Sequence, residues 1–173
     1  MKLSFTTLLC CLFVWQVSCS SQPKVEELLT VEPASRDKSV PHQVDVYGVG
    51  ALSLSLPSHY TSSLSKGADF TTTNFYNGKD SKSSSSRMMI YEGMHPNQME
   101  VKGSELATST ILGKSVEWAI LCDDKHNFAD ALVPFETKYG ITFLHIIINA
   151  DSKSELLALI QDLSRTKLAT KDQ

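Results

Sequence analysis

Residues Ile141-Thr142-Phe143-Leu144-His145-Ile146-Ile147-Ile148, followed after a short polar link by Ser152-Lys153-Ser154-Glu155-Leu156-Leu157, decide the fold class. The first stretch is apolar at nearly every position, the pattern of a central strand covered on both faces. In the second, Ser152 and Glu155 form a capping box. Leu156, Leu157, Ile160 and Leu163 then recur at helical spacing, which predicts an amphipathic helix over about residues 153–166.

Working back toward the N-terminus, residues 129–137 and 141–149 read as a hairpin around Lys138-Tyr139-Gly140. Residues 106–112 and 116–122 read as two more strands joined at Gly113-Lys114, with Val116, Trp118, Ile120 and Cys122 on one face. Met88-Met89-Ile90-Tyr91 is a strand that leaves through Gly93-Met94-His95-Pro96-Asn97, and residues 70–76 form a Thr- and aromatic-rich strand before the turn signal Asn77-Gly78. Residues 79–86 hold no apolar side chain and read as a surface loop. Further back, residues 44–56 alternate apolar and polar as one strand stopped by Pro57, and Ser58 reads as the cap of a short helical segment reaching Leu64. This order predicts an α+β fold with a mainly antiparallel sheet flanked by helices.

The N-terminus has a different character. Lys2 precedes the apolar run Leu8-Leu9-Cys10-Cys11-Leu12-Phe13-Val14-Trp15, which is too short to span a bilayer, and residues 1–18 read as a signal peptide. Val17-Ser18-Cys19-Ser20-Ser21 resembles a bacterial lipobox, with Gln16 where that motif usually carries an aliphatic residue. Cys19 is therefore the lipidation candidate, and a rival cut after Ser20 would discard it. Residues 19–42, punctuated by Pro23, Pro33 and Pro41, read as a tether, and residues 43–173 as a single domain.

The chain has 173 residues, 42% of them apolar and 20% charged, which excludes a wholly disordered chain and a collagen. Loss of Lys2 with the leader leaves 15 basic against 19 acidic side chains, a balance that speaks against nucleic acid as a partner. Cys10 and Cys11 leave too, so Cys122 and at most Cys19 remain, and no disulfide framework is available. Cys122 reads as a small buried hydrophobe.

Leu52-Ser53-Leu54-Ser55-Leu56-Pro57-Ser58-His59-Tyr60 resembles the opening strand of PsbP-like and Mog-type α/β/α sandwich proteins, where an apolar strand runs into Pro and then an aromatic residue. Residues 143–163 resemble the closing strand and helix of that fold. Residues 88–96, a strand running into Gly-x-His-Pro, resemble small exported bacterial lipoprotein members of the group. Tyr60 stands where many members carry Trp. The resemblance spans residues 44–166 and implies an α/β/α sandwich with an auxiliary binding role; it carries over no catalytic residue.

No nucleophile elbow, phosphate-binding glycine loop or His-Glu-x-x-His motif is present, and no cofactor is expected. The first functional expectation is a non-catalytic binding or accessory protein of the bacterial cell envelope. A lipid on Cys19 would hold it to the membrane, facing periplasm or exterior, beside an envelope protein partner; a soluble secreted form is the other localisation. Its contact candidates are Tyr91, Met94 and His95, within a wider set of Tyr47, Phe75, Tyr76 and Met99, because exposed Met and aromatic side chains make adaptable surfaces. The alternative is a small metal-dependent hydrolase built from His95, Asp123, Asp124 and His126, with His59 as a further ligand candidate. Asp123-Asp124-Lys125-His126 matches no metal-binding template, and such a run also suits a hairpin turn. His145 reads as a satisfied sheet histidine.

Overall fold

The computed structural model describes residues 39–46, 50–78, 87–94, 96–97, 101–138 and 140–168. Among these residues, ten strands and one helix follow in chain order: β1 (Ser39–Val46), β2 (Gly50–Pro57), β3 (Tyr60–Lys66), β4 (Phe70–Asn77), β5 (Met88–Gly93), β6 (Glu105–Ile111), β7 (Lys114–Cys122), β8 (Asn127–Thr137), β9 (Gly140–Asn149), α1 (Lys153–Ser164) and β10 (Lys167–Leu168). They form a seven-stranded sheet in the order β3-β4-β5-β9-β8-β7-β6 and a three-stranded sheet in the order β1-β2-β10. Every ladder is antiparallel.

This corrects the α+β expectation. Of the described residues 67% are strand and 11% helix, so the fold is mainly β and not a sheet flanked by helices in an α/β/α sandwich. The short helix expected after Pro57 is β3, which pairs with β4 from Tyr60↔Asn77 to Lys66↔Thr71. Tyr60 and Leu64 do share one side, but four residues is both a helical repeat and an even number, so the spacing suits a strand equally well. Residues 44–56 are not one strand either. Asp45 and Val46 of β1 fold back onto Ala51 and Gly50 of β2. β1 begins at Ser39, inside the stretch read as tether, and it is an edge strand, the place in a sheet where a proline such as Pro41 is tolerated because half of the N–H groups point away from the ladder.

The central-strand expectation holds for position: β9 is the middle strand of the large sheet. Leu144, Ile146 and Ile148 point into the core and are buried, whereas Phe143 and Ile147 on the other face are half-exposed. The inward face of the large sheet continues through Ile90, Ala131, Trp118 and Ala107, which lie side by side across five strands with Ile146. Two alanines therefore flank the largest side chain of the core, and the room they leave is what Trp118 fills. Its indole Nε1 donates to Ser109 Oγ at 2.8 Å.

Helix α1 packs on β2 of the small sheet and on β6, β8 and β9 of the large sheet. Leu156, Leu157, Leu159, Ile160 and Leu163 are all buried, a stripe wide enough to serve both contacts. The helix start is tied to the large sheet by its cap. Ser152 Oγ accepts from the Glu155 amide at 3.2 Å, while the Glu155 carboxylate accepts the Asp151 amide at 2.8 Å and the Tyr60 hydroxyl at 2.9 Å. Burial, and then this bond to Glu155, raise the Tyr60 phenol well above its ordinary pKa, so it remains a donor. Replacing Glu155 with alanine strands a buried hydroxyl and a cap amide, and is expected to cost about 2 kcal/mol in urea unfolding. Glu155→Gln, which keeps an acceptor, is expected to cost less than half of that; equal losses in both variants would refute this role.

On the small sheet His42 points inward and sets its imidazole edge-on to Phe75, with ring centroids 5.7 Å apart. Its Nε2 is buried with no hydrogen-bond partner among the described residues, and burial lowers its pKa below the ordinary 6.5. The unfolded chain then binds this proton more readily than the folded one, so stability falls as pH drops below 6.5. Asp123, whose carboxyl sits below 3.8, responds only in a more acidic window. Between pH 6.5 and 5, wild type is expected to lose midpoint stability that His42→Leu retains; parallel pH profiles for the two proteins would exclude His42 as the cause.

Candidate functional site

One end of the large sheet gathers three turns: the β3–β4 link, the exit of β5 and the β8–β9 hairpin. Gly67 N donates to Phe70 O at 2.9 Å and closes the first, and Thr137 Oγ1 donates to Gly140 O at 2.9 Å across the third. Thr142 Oγ1 reaches Gly93 O at 3.4 Å and fastens the β5 exit to β9. Between these turns lies a cavity of about 370 Å³, within the range of small-molecule sites.

Its wall explains the glycines. Phe70 sits in register opposite Gly93, and its ring stacks on Tyr91 with centroids 5.7 Å apart and planes 22° apart. A Cβ at Gly93 would run into the Tyr91 phenol, and one at Gly67 into the Phe70 ring, so both positions must lack a side chain for the stacked pair to lie there. Met94, Ile141 and Phe70 line the cavity while remaining substantially exposed. These are three of the six large apolar side chains exposed among the described residues. At the other extreme of polarity, Glu92 ends the inward row Met88, Ile90, Glu92 of β5 as a buried carboxyl in the cavity lining. Lys66 and Asp69 are its other charged lining residues.

Of the contact candidates read from sequence, Met94 lines this cavity and Tyr91 stacks on its wall. Phe75 is instead fully buried against His42. Tyr76 is half-buried, its hydroxyl accepting from Ser63 Oγ at 3.4 Å. His95, Tyr47, Met99 and Cys19 lie outside the described residues. Phe70, Gly93, Glu92 and Ile141 were not singled out by the sequence reading. Gly93 carried the one available signal, a glycine at the end of a strand pattern, which marks a close approach.

The metal-ligand candidates are dispersed. Asp123 Oδ1 accepts the amides of Lys125 at 2.8 Å and His126 at 2.7 Å, which makes it the capping group of the β7–β8 turn. Those amides, followed by the His126 imidazole, hold its carboxyl below the usual range. That turn opens β8, whereas Thr137, which lines the cavity, closes it 11 residues on, roughly 30 Å away at strand rise. Met94 and Pro96, the neighbours of His95 in the chain, follow the β5 exit at the cavity end. No group of three metal-ligating side chains occurs among the described residues.

Two further reactive groups are accounted for. His145 Nε2 and Asp130 Oδ2 lie 2.9 Å apart on the sheet face turned away from α1, both buried. Cys122 is half-buried at the end of β7, and burial pushes its thiol pKa up, which leaves it less of a nucleophile.

No protein-family model, no curated protein and no solved structure matches this chain. These comparisons neither support nor oppose the PsbP-like resemblance, whose implied α/β/α sandwich is not the fold observed.

Proposed function

We propose that the chain is an exported, non-catalytic binding protein of the bacterial envelope, held to the membrane by a lipid on Cys19 beside an envelope protein partner. Its ligand site is the cavity walled by Phe70, Met94 and Ile141. One observation carries the binding part: half of the large apolar side chains exposed among the described residues line one recess instead of scattering over the surface, where each would be unremarkable. The lipobox-like residues Val17-Ser18-Cys19 support the anchoring part.

Two measurements test the parts separately. The intact mass of protein purified from its own membranes is expected to start at Cys19 and to include diacyl or triacyl groups; a mass starting near Ser21 without lipid overturns the anchor. For the cavity, small aromatic fragments followed by ¹H–¹⁵N spectroscopy are expected to shift the amides of Gly67, Gly93 and Met94. Shifts confined to other parts of the sheet would remove the site.

A further inference from the structure

Among the described residues the large sheet ends in two edge strands, β3 and β6, and the two are not alike. β6 turns into β7 through Leu112 (φ 51°) and Gly113 (φ 75°), a left-handed pair that makes a tight two-residue hairpin, and Leu112 packs on the core from there. The closing pair Ile111↔Lys114 is therefore hydrogen-bonded, and by alternation so are Ser109↔Val116, Ala107↔Trp118 and Glu105↔Ile120. The backbone N–H and C=O groups of Leu106, Thr108 and Thr110 point the other way, to a side on which no described strand lies. Edges are commonly blunted by a proline, a lysine or a bulge. Residues 106–111 carry no proline and no charge, and their register with β7 is unbroken. Leu106, at 65% exposure, is the most exposed large apolar side chain among the described residues.

We propose that β6 pairs with β6 of a second copy, antiparallel about a two-fold axis at Thr108, so that two large sheets join into one. This depends on neither the cavity nor the lipid. The register follows from parity: outward residues must meet outward residues, and only an axis at Thr108 engages all three in both copies. Thr108 then faces Thr108 of the other copy and Leu106 faces Thr110, with about six backbone hydrogen bonds exchanged. The charges agree with this register. Glu105 falls opposite Ile111 of the other copy, whose neighbour on the same face is Lys114, so carboxylate and ammonium stand two strand spacings apart, roughly 10 Å between Cα atoms and within reach of two long side chains. Lys114 holds its ammonium on that face, 5.4 Å over the Phe135 ring. The like charges that face each other across the axis, Glu117 of each copy, lie three spacings apart, roughly 14 Å, where salt screens them. β3 offers no such match, because Lys66 stands on it and neither β3 nor β4 holds an acid for Lys66 to meet. An isologous contact also closes on itself, so pairing stops at two copies.

Sedimentation of the mature protein at roughly 100 μM, well above a micromolar Kd, is expected to show about twice the chain mass. Thr108→Lys sets two ammonium groups opposite each other at the axis. It is expected to weaken the dimer about tenfold or more with an unchanged circular dichroism spectrum, because position 108 is exposed on an edge. Cross-linking reads the register. Under mild oxidation Thr108→Cys is expected to give a disulfide-linked dimer, its two Cα atoms falling about 5.5 Å apart. Thr110→Cys, set four residues along the strand from its counterpart, is expected to give no more than the wild-type level that Cys122 allows. A wild-type protein that sediments as a monomer overturns the proposal. So does a dimer that Thr108→Lys leaves intact, which would put the contact on β3 or on a sheet face. Equal cross-linking of the two cysteine variants overturns the register, and the two-fold pairing with it.

Discussion

Replacing Trp118 with alanine is expected to remove about 3–5 kcal/mol of folding stability, the range for truncating a large buried aromatic. A domain of this size has about 5–15 kcal/mol in total, so the variant is expected to unfold at low urea or to fail to accumulate. The effect follows from register. Trp118 is fully buried in a row whose neighbours on either side are Ala107 and Ala131, so no adjacent side chain is large enough to collapse into the space it vacates. Ser109 also loses the donor that meets its Oγ at 2.8 Å. Trp118→Phe keeps most of the apolar volume and is expected to cost about 1–2 kcal/mol, from lost area and the indole bond. Urea unfolding followed by far-ultraviolet circular dichroism reads both, because either substitution removes a tryptophan fluorophore. A loss under about 1.5 kcal/mol for the alanine variant would mean that α1 settles onto the sheet and fills the gap.

The same row shows which parts of the fold were legible in the sequence. Trp118 was readable as a core residue because it shares one face of its strand with Val116 and Ile120 at period two, and β9 was readable as central because its run is apolar at nearly every position. The helix was legible because Ser152 and Glu155 are a local cap that needs no tertiary information. β3 was not. Its Ser-rich run, Thr61-Ser62-Ser63-Leu64-Ser65, carries little apolar pattern of its own and becomes a strand by pairing with β4. β1 was hidden by Pro41, which signals a linker unless the strand is known to be an edge. The second helical layer was inferred from a fold resemblance and from that misread segment; the three-stranded sheet takes its place beside α1.

The candidate site was less legible than the fold, for a reason of distance. Phe70, Glu92 and Ile141 belong to three separate strands, and what unites them is the pairing of β4 with β5 and of β5 with β9. No spacing along the chain encodes that. Met94 and Tyr91 were noticed for their side-chain type and not for their neighbours. Conversely, Asp123-Asp124-Lys125-His126 drew attention through composition, and its Asp123 turned out to serve the backbone of its own turn.

His145→Leu is expected to cost about 3–5 kcal/mol, because it takes the imidazole away from a fully buried carboxyl group that sits 2.9 Å from it. The pair lies on the sheet face turned away from α1, with Asp130 opposite Ile147 and His145 opposite Leu132 and Tyr91, so its surroundings are largely apolar. Ala119, opposite Asp130 on β7, brings only a methyl group to that site. In such a setting the cost of losing one partner exceeds the net worth of the pair, since desolvation has already consumed most of the attraction. Asp130→Leu combined with His145→Leu is therefore expected to be more stable than His145→Leu alone, by about 2 kcal/mol or more. Urea unfolding of wild type, both single variants and the double variant measures this directly. Additive losses, with the double variant the least stable of the four, would show that the two groups act independently and that their proximity contributes nothing to the sheet.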